Sequence, residues 1–143
     1  MTASTNFTNL PDHLARGAIN FAADSFKTLL VATAPTEANL DTWINRSDVT
    51  GETTGTGYTA GGVAQAVAVS AVDTTNNRVA ITPSNLAPAL ATASISAVGA
   101  IIYKSTGAAA TDKLISYVDF GGTVTSTAGP YSISFTTPIY INR

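Results

Sequence analysis

The chain has 143 residues, no cysteine, a net charge of -2 and 11% charged residues. This length fits one domain that buries a core without staples, and without cysteine a disulfide framework, a thiolate metal site and a cysteine nucleophile are excluded. The weak charge gives no basic surface for nucleic acid or anionic lipid, and no apolar run approaches the roughly 20 residues of a membrane span, so neither nucleic acid nor a membrane is an expected partner.

Residues 1–25 are predicted to form an N-terminal arm and a short helix. Residues 1–9 are polar and without period, so we expect an arm that is mobile in the free protein and becomes ordered against a neighbouring subunit. Over Leu10–Phe21, apolar side chains recur at helical spacing behind Asn9 and Pro11, which predicts a short amphipathic helix. No basic region followed by an apolar stretch is present, so export through the Sec pathway is not expected.

Residues 26–143 are predicted to form one β-sandwich domain. The apolar run FKTLLVAT (26–33) ends before a proline and predicts a buried strand. Leu40, Trp43 and Ile44 within Thr36–Arg46 predict one or two helical turns capped by Thr36. From residue 63 the apolar period becomes two, which is typical of strands.

VAQAVAVSAV (63–72) predicts one strand with Val63, Val67 and Val69 on its buried face. DTTNN is then a turn, and RVAIT completes a hairpin. Further strands are predicted at Ser94–Lys104, Lys113–Phe120, Tyr131–Phe135 and PIYIN (138–142), and the third of these directs Tyr131, Ile133 and Phe135 into the core.

The clusters TPSNLAP, STGAAATD and GGTVTSTAGP are predicted turns between these strands, and no helix intervenes. The predicted fold class is therefore mainly β: a single antiparallel β-sandwich, jelly-roll or immunoglobulin-like, with a short N-terminal helical segment.

The segment GETTGTGYTAGG (51–62) raises the question of a phosphate-binding loop. Such a loop needs a strand before it, a helix after it and a Gly-Lys-Ser/Thr ending, and none of these is present in the pattern. The four glycines nearest the following strand are instead predicted to supply positive φ or a bulge: Gly55, Gly57, Gly61 and Gly62. Tyr58 is predicted to pack its ring on the sheet edge and leave its hydroxyl in water.

No residue is predicted to be catalytic, to bind a cofactor or to hold a metal. His13 is the only histidine, lies beside Asp12 on the predicted polar side of the helix, and is expected to be solvated, since no Gly-x-Ser-x-Gly elbow accompanies it. Trp43 is predicted to pack in the core. Glycosylation triplets begin at Asn6 and Asn45 but carry no meaning without export. The carboxylates are scattered, with no acid-base pair or calcium loop: Asp24, Glu37, Asp41, Asp48, Glu52, Asp73, Asp112 and Asp119.

The order LLVATAPT, GTGYTAGG and AVGAIIYKSTGAAATDKLISYVDFGGTVTSTAGPYSISF resembles a family of small tailed-bacteriophage virion structural proteins. The shared features are the Gly-Tyr-Thr-Ala-Gly-Gly element, an apolar strand ending in Tyr-Lys, a Leu-Ile-x-Tyr-x-Asp-Phe-Gly strand and a closing alternating strand. The resemblance covers about residue 26 to the end. The sequence departs from the family at Gly129-Pro130-Tyr131 and at its Thr-Pro-Ile-Tyr-Ile ending.

Members of that family are head decoration, fibre-like or minor tail proteins, so the resemblance implies a virion structural component and no enzyme. Its most specific implication is a capsid decoration or cement protein on the outside of the head, assembled in the host cytoplasm, with the major capsid protein or other virion subunits and further copies of itself as partners.

Two other interpretations stay open. A tail or neck protein is the alternative within the virion. A carbohydrate- or receptor-binding module is the alternative from another class, with Trp43, Tyr58, Tyr103 and Tyr117 as ring-stacking residues, although these aromatic residues are few and poorly clustered in the sequence. An enzyme is the most remote interpretation.

Overall fold

The structure is a computed structural model that describes residues 3–142, apart from the side chains of Ala3, Ala87 and Pro88. It is mainly β, with 49% strand and 11% helix, and its two antiparallel sheets are consistent with a β-sandwich. No helix in the described range is long and apolar enough to cross a membrane. The elements in chain order are β1 (Ala3–Asn6), α1 (Leu10–Ala15), β2 (Phe26–Val31), α2 (Glu37–Thr42), a 3-10 turn (Arg46–Asp48), β3 (Val63–Gln65), β4 (Val67–Val69), β5 (Arg78–Pro83), β6 (Leu86–Lys104), β7 (Lys113–Ile133) and β8 (Ile139–Asn142).

A five-stranded sheet in the order β1-β7-β6-β2-β3 packs against a three-stranded sheet in the order β4-β5-β8. β6 is central in the larger sheet, because its segment 100–103 is apolar on both faces and every side chain in it is buried. Ile102 and Phe26 of the larger sheet share a core cluster with Ile81 and Ile139 of the smaller one. The hydrophobic core therefore connects the two sheets.

The two sheets are joined through Gln65. A single residue, Ala66, separates β3 in one sheet from β4 in the other. The Gln65 amide donates to the main-chain oxygens of Ala66 and Ser84, both at 2.8 Å, and its Oε1 accepts from the Thr28 hydroxyl at 2.7 Å. Every polar group of this buried side chain is satisfied, so the crossing costs no unpaired amide.

This crossing corrects the prediction of one strand over residues 63–72. The pairing changes sheet at Ala66, so the alternation of valines does not define one buried face. Of the three valines predicted to be buried, Val63 and Val67 are half-buried and Val69 is 48% exposed, whereas Gln65 is buried. The buried amide bonds the main-chain oxygens of Ala66 and Ser84 at the crossing, and a valine at this position could make neither bond.

The N-terminal residues belong to the sandwich, which corrects the prediction of a mobile arm for residues 3–9. β1 pairs with β7 from Ala3 opposite Asp119 to Asn6 opposite Ser116. Phe7 is completely buried, and the Asn6 side-chain amide donates to the main-chain oxygen of Tyr140 in β8 at 3.1 Å. Because β7 supplies main-chain partners and the core accepts Phe7, the polar segment gains by folding back. Residues 1 and 2 lie outside the described range.

The helix that follows is shorter than the predicted Leu10–Phe21. It ends after Ala15, and Gly17 takes a φ of +67° just beyond it. That left-handed conformation, which favours glycine, turns the chain away from the helix axis. A helix of six residues remains.

β6 and β7 form one long hairpin of 19 and 21 residues. The predicted strands Ser94–Lys104, Lys113–Phe120 and most of Tyr131–Phe135 are parts of it, and the turn STGAAATD is confirmed at its tip. GGTVTSTAGP, predicted as a turn, and the end of TPSNLAP lie inside the strands. The pairing tolerates these glycines and prolines because several register shifts interrupt the ladder, including one between Ala97 and Gly99.

Other predicted elements are confirmed. β2 and β8 occupy the predicted segments, and β4 and β5 form the hairpin closed by residues 73–77. Thr36 caps α2 in a capping box with Asn39. These elements depend on local signals, namely a short apolar run, a turn cluster and a cap.

Phe135 provides a test of the strand faces. Tyr131 and Ile133 are buried as predicted, but Phe135 lies beyond the end of β7 and is half-buried against two core clusters. We expect Phe135→Ala to lower the free energy of unfolding by about 1.5 to 3 kcal/mol, because only part of its apolar surface is removed from water. Urea unfolding measures the loss. Ser132→Ala, at an exposed position, is the control. An equal loss of stability in both variants would contradict the assignment of Phe135 to the buried side and Ser132 to the exposed side.

Candidate functional site

The glycine-rich segment 51–62 lies against the edge of the larger sheet. Gly55 approaches the main chain of Ser94 in β6, Gly57 that of Thr92 in β6, and Gly62 that of Thr28 in β2, so closely that a Cβ at any of the three would overlap a carbonyl oxygen. Gly57 and Gly62 also have φ values of +83° and +73°. The predicted conformational role of the glycines is confirmed, with close approach to two strands as an additional reason.

A polar network fixes this segment to the sheet. The Tyr58 hydroxyl donates to Glu52 Oε1 at 2.7 Å and accepts from the Leu30 amide at 3.1 Å, and the Gly61 amide donates to the same carboxylate oxygen at 2.6 Å. The Tyr103 hydroxyl donates to the Gly61 carbonyl at 2.6 Å. Burial raises the pKa of Tyr58 far above its usual range and that of Tyr103 to about 12. Both phenols therefore stay protonated as donors, and the prediction of a wet Tyr58 hydroxyl is wrong.

An ion pair continues the network on the neighbouring turn. Arg46 Nε lies 2.8 Å from Asp112 Oδ2, the Asp112 side chain is 1% exposed, and the guanidinium also sits 5.5 Å from the centre of the Tyr103 ring. Burial alone would raise the pKa of Asp112, but the Thr106 amide and hydroxyl and the Arg46 guanidinium outweigh it, so this pKa is lowered. The network ties the tip of the β6-β7 hairpin to the glycine-rich segment.

The carboxylates other than Glu37, Glu52 and Asp112 each have a hydrogen-bond or ion-pair partner of their own. In residues 3–142 no group of three or more His, Cys, Asp or Glu side chains could hold a metal. The partners are Arg16 for Asp12, Lys104 for Asp24, the Thr8 hydroxyl for Asp41, the Ile44 and Asn45 amides for Asp48, Arg78 and Asn76 for Asp73, and the Gly121 amide for Asp119.

His13 is buried, which corrects the prediction of a solvated residue. Its side chain lies on the same face of α1 as Leu10, three residues earlier, and the residue is 5% exposed. Nε2 has no hydrogen-bond partner among the described residues. Burial and then the charge of Lys113 lower the pKa of His13, against smaller opposing effects of Asp12 and the Ile44 main chain. The imidazole is held neutral inside the fold.

This placement predicts a pH-dependent stability. His13 has a folded pKa below its ordinary value of 6.5, so its contribution is full above that value and is lost as pH falls through it. We expect the free energy of unfolding to fall as the pH drops from about 6.5 towards the lower folded pKa of His13, with a slope of at most about 1.4 kcal/mol per pH unit. His13→Gln, neutral throughout, should remove this slope. Urea unfolding across the range measures it, and equal slopes in both proteins would contradict the assignment.

The four aromatic residues considered for ring stacking do not form an exposed platform. Tyr103 is 1% and Tyr117 7% exposed, and both belong to the core cluster that contains Phe7. Trp43 packs partly buried against the same cluster, close to its predicted role, and Tyr58 packs against another. The sequence could not distinguish these buried rings from exposed ones, because the residues that bury them are distant in sequence.

The most distinctive exposed surface is a shallow groove of about 370 Å³. It lies where the glycine-rich segment meets the half of the β6-β7 hairpin that is farther from the hairpin tip, which we call the outer half. We call it the hydroxyl face, because seven of its eight lining residues are serine or threonine: Thr53, Thr54, Ser94, Ile95, Ser96, Thr125, Ser126 and Thr127. None of the eight is charged. Within it the Ser96 and Thr125 hydroxyls lie 2.8 Å apart.

Hydroxyl groups both donate and accept hydrogen bonds, and removing them from water costs less than removing charges. The hydroxyl face can therefore bind the main chain and polar side chains of another protein. The sequence analysis missed it because GGTVTSTAGP was interpreted as a turn. The available signal was threonine at positions 123, 125 and 127, the period of a strand.

Comparison of the chain with protein-family models, with curated proteins and with solved structures finds no match.

Proposed function

We propose that this protein is a structural component of a bacteriophage virion, and most specifically a decoration or cement protein that binds the outside of the head shell. The observation that carries the proposal is the hydroxyl face on an uncharged stretch of β-structure: no charged residue occurs from residue 120 to residue 142. A shell protein repeated many times needs a surface whose burial carries a small desolvation cost. Serine and threonine hydroxyls meet that need better than ion pairs do.

The resemblance to phage virion proteins supports the proposal, because its motif residues contact one another. Tyr58 of GTGYTAGG bonds Leu30 of LLVATAPT, and Tyr103 of the AIIYK strand bonds Gly61. The Tyr117 ring of LISYVDFG lies directly against Gly99. The motifs thus specify contacts that hold the glycine-rich segment on the sheet, and that segment forms one wall of the hydroxyl face.

In this proposal the partners are the major capsid protein or other virion subunits, with further copies of the protein in the particle. Nucleic acid and membrane are not proposed partners, and assembly takes place in the host cytoplasm. In this proposal neighbouring copies also contact one another on the shell, so their binding events are linked and weak single contacts give firm attachment through multivalency. Within the sandwich class, a jelly-roll or immunoglobulin-like type remains our prediction.

The test is occupancy on particles that lack the protein. We expect purified protein to bind such heads in hundreds of copies, counted by quantitative mass spectrometry. Thr54→Arg, an exposed change on the hydroxyl face, should reduce occupancy at least tenfold, about 1.4 kcal/mol per site. Thr74→Arg, on the exposed turn before β5, is the matched control and should bind as wild type.

Two other results would contradict the proposal. A handful of copies per particle would favour a tail or neck protein. No binding to particles, together with a hit on a glycan array, would favour the carbohydrate-binding alternative.

A further inference from the structure

We propose that the free edge of β7, residues 123–127, pairs antiparallel with the same edge of a second copy of this chain, so that two sandwiches share one continuous sheet about a two-fold axis. This interface goes beyond the proposed function, because it concerns the isolated protein. The inference depends on where the main-chain groups of the edge point, on its lack of charge and on its sequence symmetry.

The direction of the main-chain groups follows from the partners of β6. Ser96 pairs with Thr125, and the Thr53 hydroxyl donates to the Ser96 carbonyl at 2.7 Å from the glycine-rich segment, on the side of β6 away from β7. The Ser94 amide likewise donates to the Thr56 carbonyl at 2.9 Å. Residues facing each other across an antiparallel pair direct their main-chain groups alike, either toward each other or both away. The amide and carbonyl of Thr125 therefore point outward. Residues 123 and 127 lie next to the register shifts that bound the regularly paired residues 124–126, and because their backbone is extended we place their main-chain groups outward as well.

The other sheet edges are short or covered. β1 has four residues, and β3 and β4 have three each. The edge of β8 receives the Asn6 amide, and the glycine-rich segment covers residues 92–96 of β6. β1 reaches β7 only at residues 116–119. Among the described residues, the β7 edge beyond that point is thus the longest strand edge left open.

This edge has few of the features that keep natural edges apart. Proteins protect exposed edges with charged side chains, inward-pointing charges, proline, β-bulges or a covering element. Of these features, the edge has only the register shifts opposite 93–95 and 97–99 of β6, one on each side. TVTST (123–127) carries no charge and no proline, and the nearest following proline is Pro130. All five residues are at least partly exposed, and Val124 is 43% exposed. The edge is rich in β-branched residues, so it is an open template for strand pairing.

A second copy fits this edge better than a charged partner strand would. A two-fold contact brings each residue against its own counterpart or a near neighbour, so any charge on the edge would repel itself. With the axis at Thr125, Thr125 lies opposite Thr125 of the second copy and Thr123 opposite its Thr127. Cross-strand threonine pairs are favourable. The sequence of the edge is thus compatible with itself in both charge and side-chain size.

The test measures self-association of the full chain together with amide protection. Sedimentation of the purified protein should show a monomer-dimer equilibrium with a dissociation constant below about 1 mM, the range of weak specific contacts. Amide exchange followed by NMR should slow at least tenfold for Thr123, Thr125 and Thr127 between dilute and concentrated samples. The amide of Val124 already points to β6, so its protection should not depend on concentration.

Two variants separate pairing from folding. Thr125→Pro removes an outward amide, a change that an edge strand tolerates, and Thr127→Lys adds a protecting charge. Both should be at least tenfold weaker in dimerisation with an unchanged fold by circular dichroism, and Thr74→Lys should dimerise as wild type. If Thr125→Pro unfolds, Thr127→Lys decides alone.

A monomer at every concentration would overturn the inference, as would a dimer that both edge variants leave intact. Protection of these amides that appears only on mixing with capsid protein would also overturn it, because the occupant would then be another virion subunit. Particle occupancy in the Thr54→Arg experiment is measured separately, so the interface and the proposed function can fail independently.

Discussion

Gly62→Ala is expected to destabilise the protein by about 2 to 5 kcal/mol. The reasons are additive: Gly62 has a φ of +73°, which costs an L-residue about 1 to 2 kcal/mol, and a Cβ there would overlap the carbonyl of Thr28 in β2. Relieving that overlap requires the glycine-rich segment to move off the sheet, at a cost of about 1 to 3 kcal/mol typical of overpacking. Urea unfolding monitored by circular dichroism measures the loss.

Two matched glycines separate the contributions. Gly107 has a φ of +91° but no neighbour within 4 Å of its would-be Cβ, so Gly107→Ala reports the backbone cost alone. Gly122 has neither constraint, so Gly122→Ala should be within about 0.5 kcal/mol of wild type. A Gly62→Ala loss no larger than that of Gly107→Ala would show that the close approach to β2 contributes nothing.

Arg46→Met is expected to cost about 3 to 5 kcal/mol, because it leaves the buried Asp112 carboxylate without its counter-charge while keeping an apolar side chain of similar length. Arg46 is 22% and Asp112 1% exposed at the side chain. The glycine-rich segment and the hairpin tip should loosen together, since both depend on Tyr103 and Arg46. Amide exchange of Gly61 and Thr106 should then rise with the loss of stability.

The pH dependence of this loss has a definite sign. The folded pKa of Asp112 lies below its ordinary 3.8, so its stabilisation is full above that value and is lost as pH falls through the folded pKa. The difference between wild type and Arg46→Met should therefore shrink below pH 3.8. Arg16→Met, which removes an exposed pair with Asp12 at 75% and 52% side-chain exposure, is the control and should cost under about 1 kcal/mol. If the stability difference between wild type and Arg46→Met stays constant on acidification, the Arg46–Asp112 ion pair is not the cause of the loss.

The polar network holds the glycine-rich segment in the position from which it forms part of the hydroxyl face. Glu52, Tyr58 and Tyr103 hold it closed against β2 and β6, and in that position it covers one edge of the outer hairpin and forms a wall of the hydroxyl face. Beyond residues 116–119, which pair with β1, the other edge of the same hairpin has no partner strand among the described residues. One unit thus provides the face proposed to bind a shell and the edge proposed to bind a second copy.

The sequence by itself determined the mainly β class, β2, β8, the β4-β5 hairpin, the capped α2 and the conformational role of the glycines. Each of these depends on residues within a few positions of one another, where propensity, period and capping decide the outcome. Tertiary structure decided that Gln65 crosses between sheets, that β1 returns to β7, that His13 is buried and that GGTVTSTAGP is strand. These outcomes depend on partners distant in sequence, such as Ser116 for Asn6 and Ser96 for Thr125. A polar or glycine-rich segment carries no apolar period of its own, so only the strand that pairs with it determines whether it becomes turn, arm or strand.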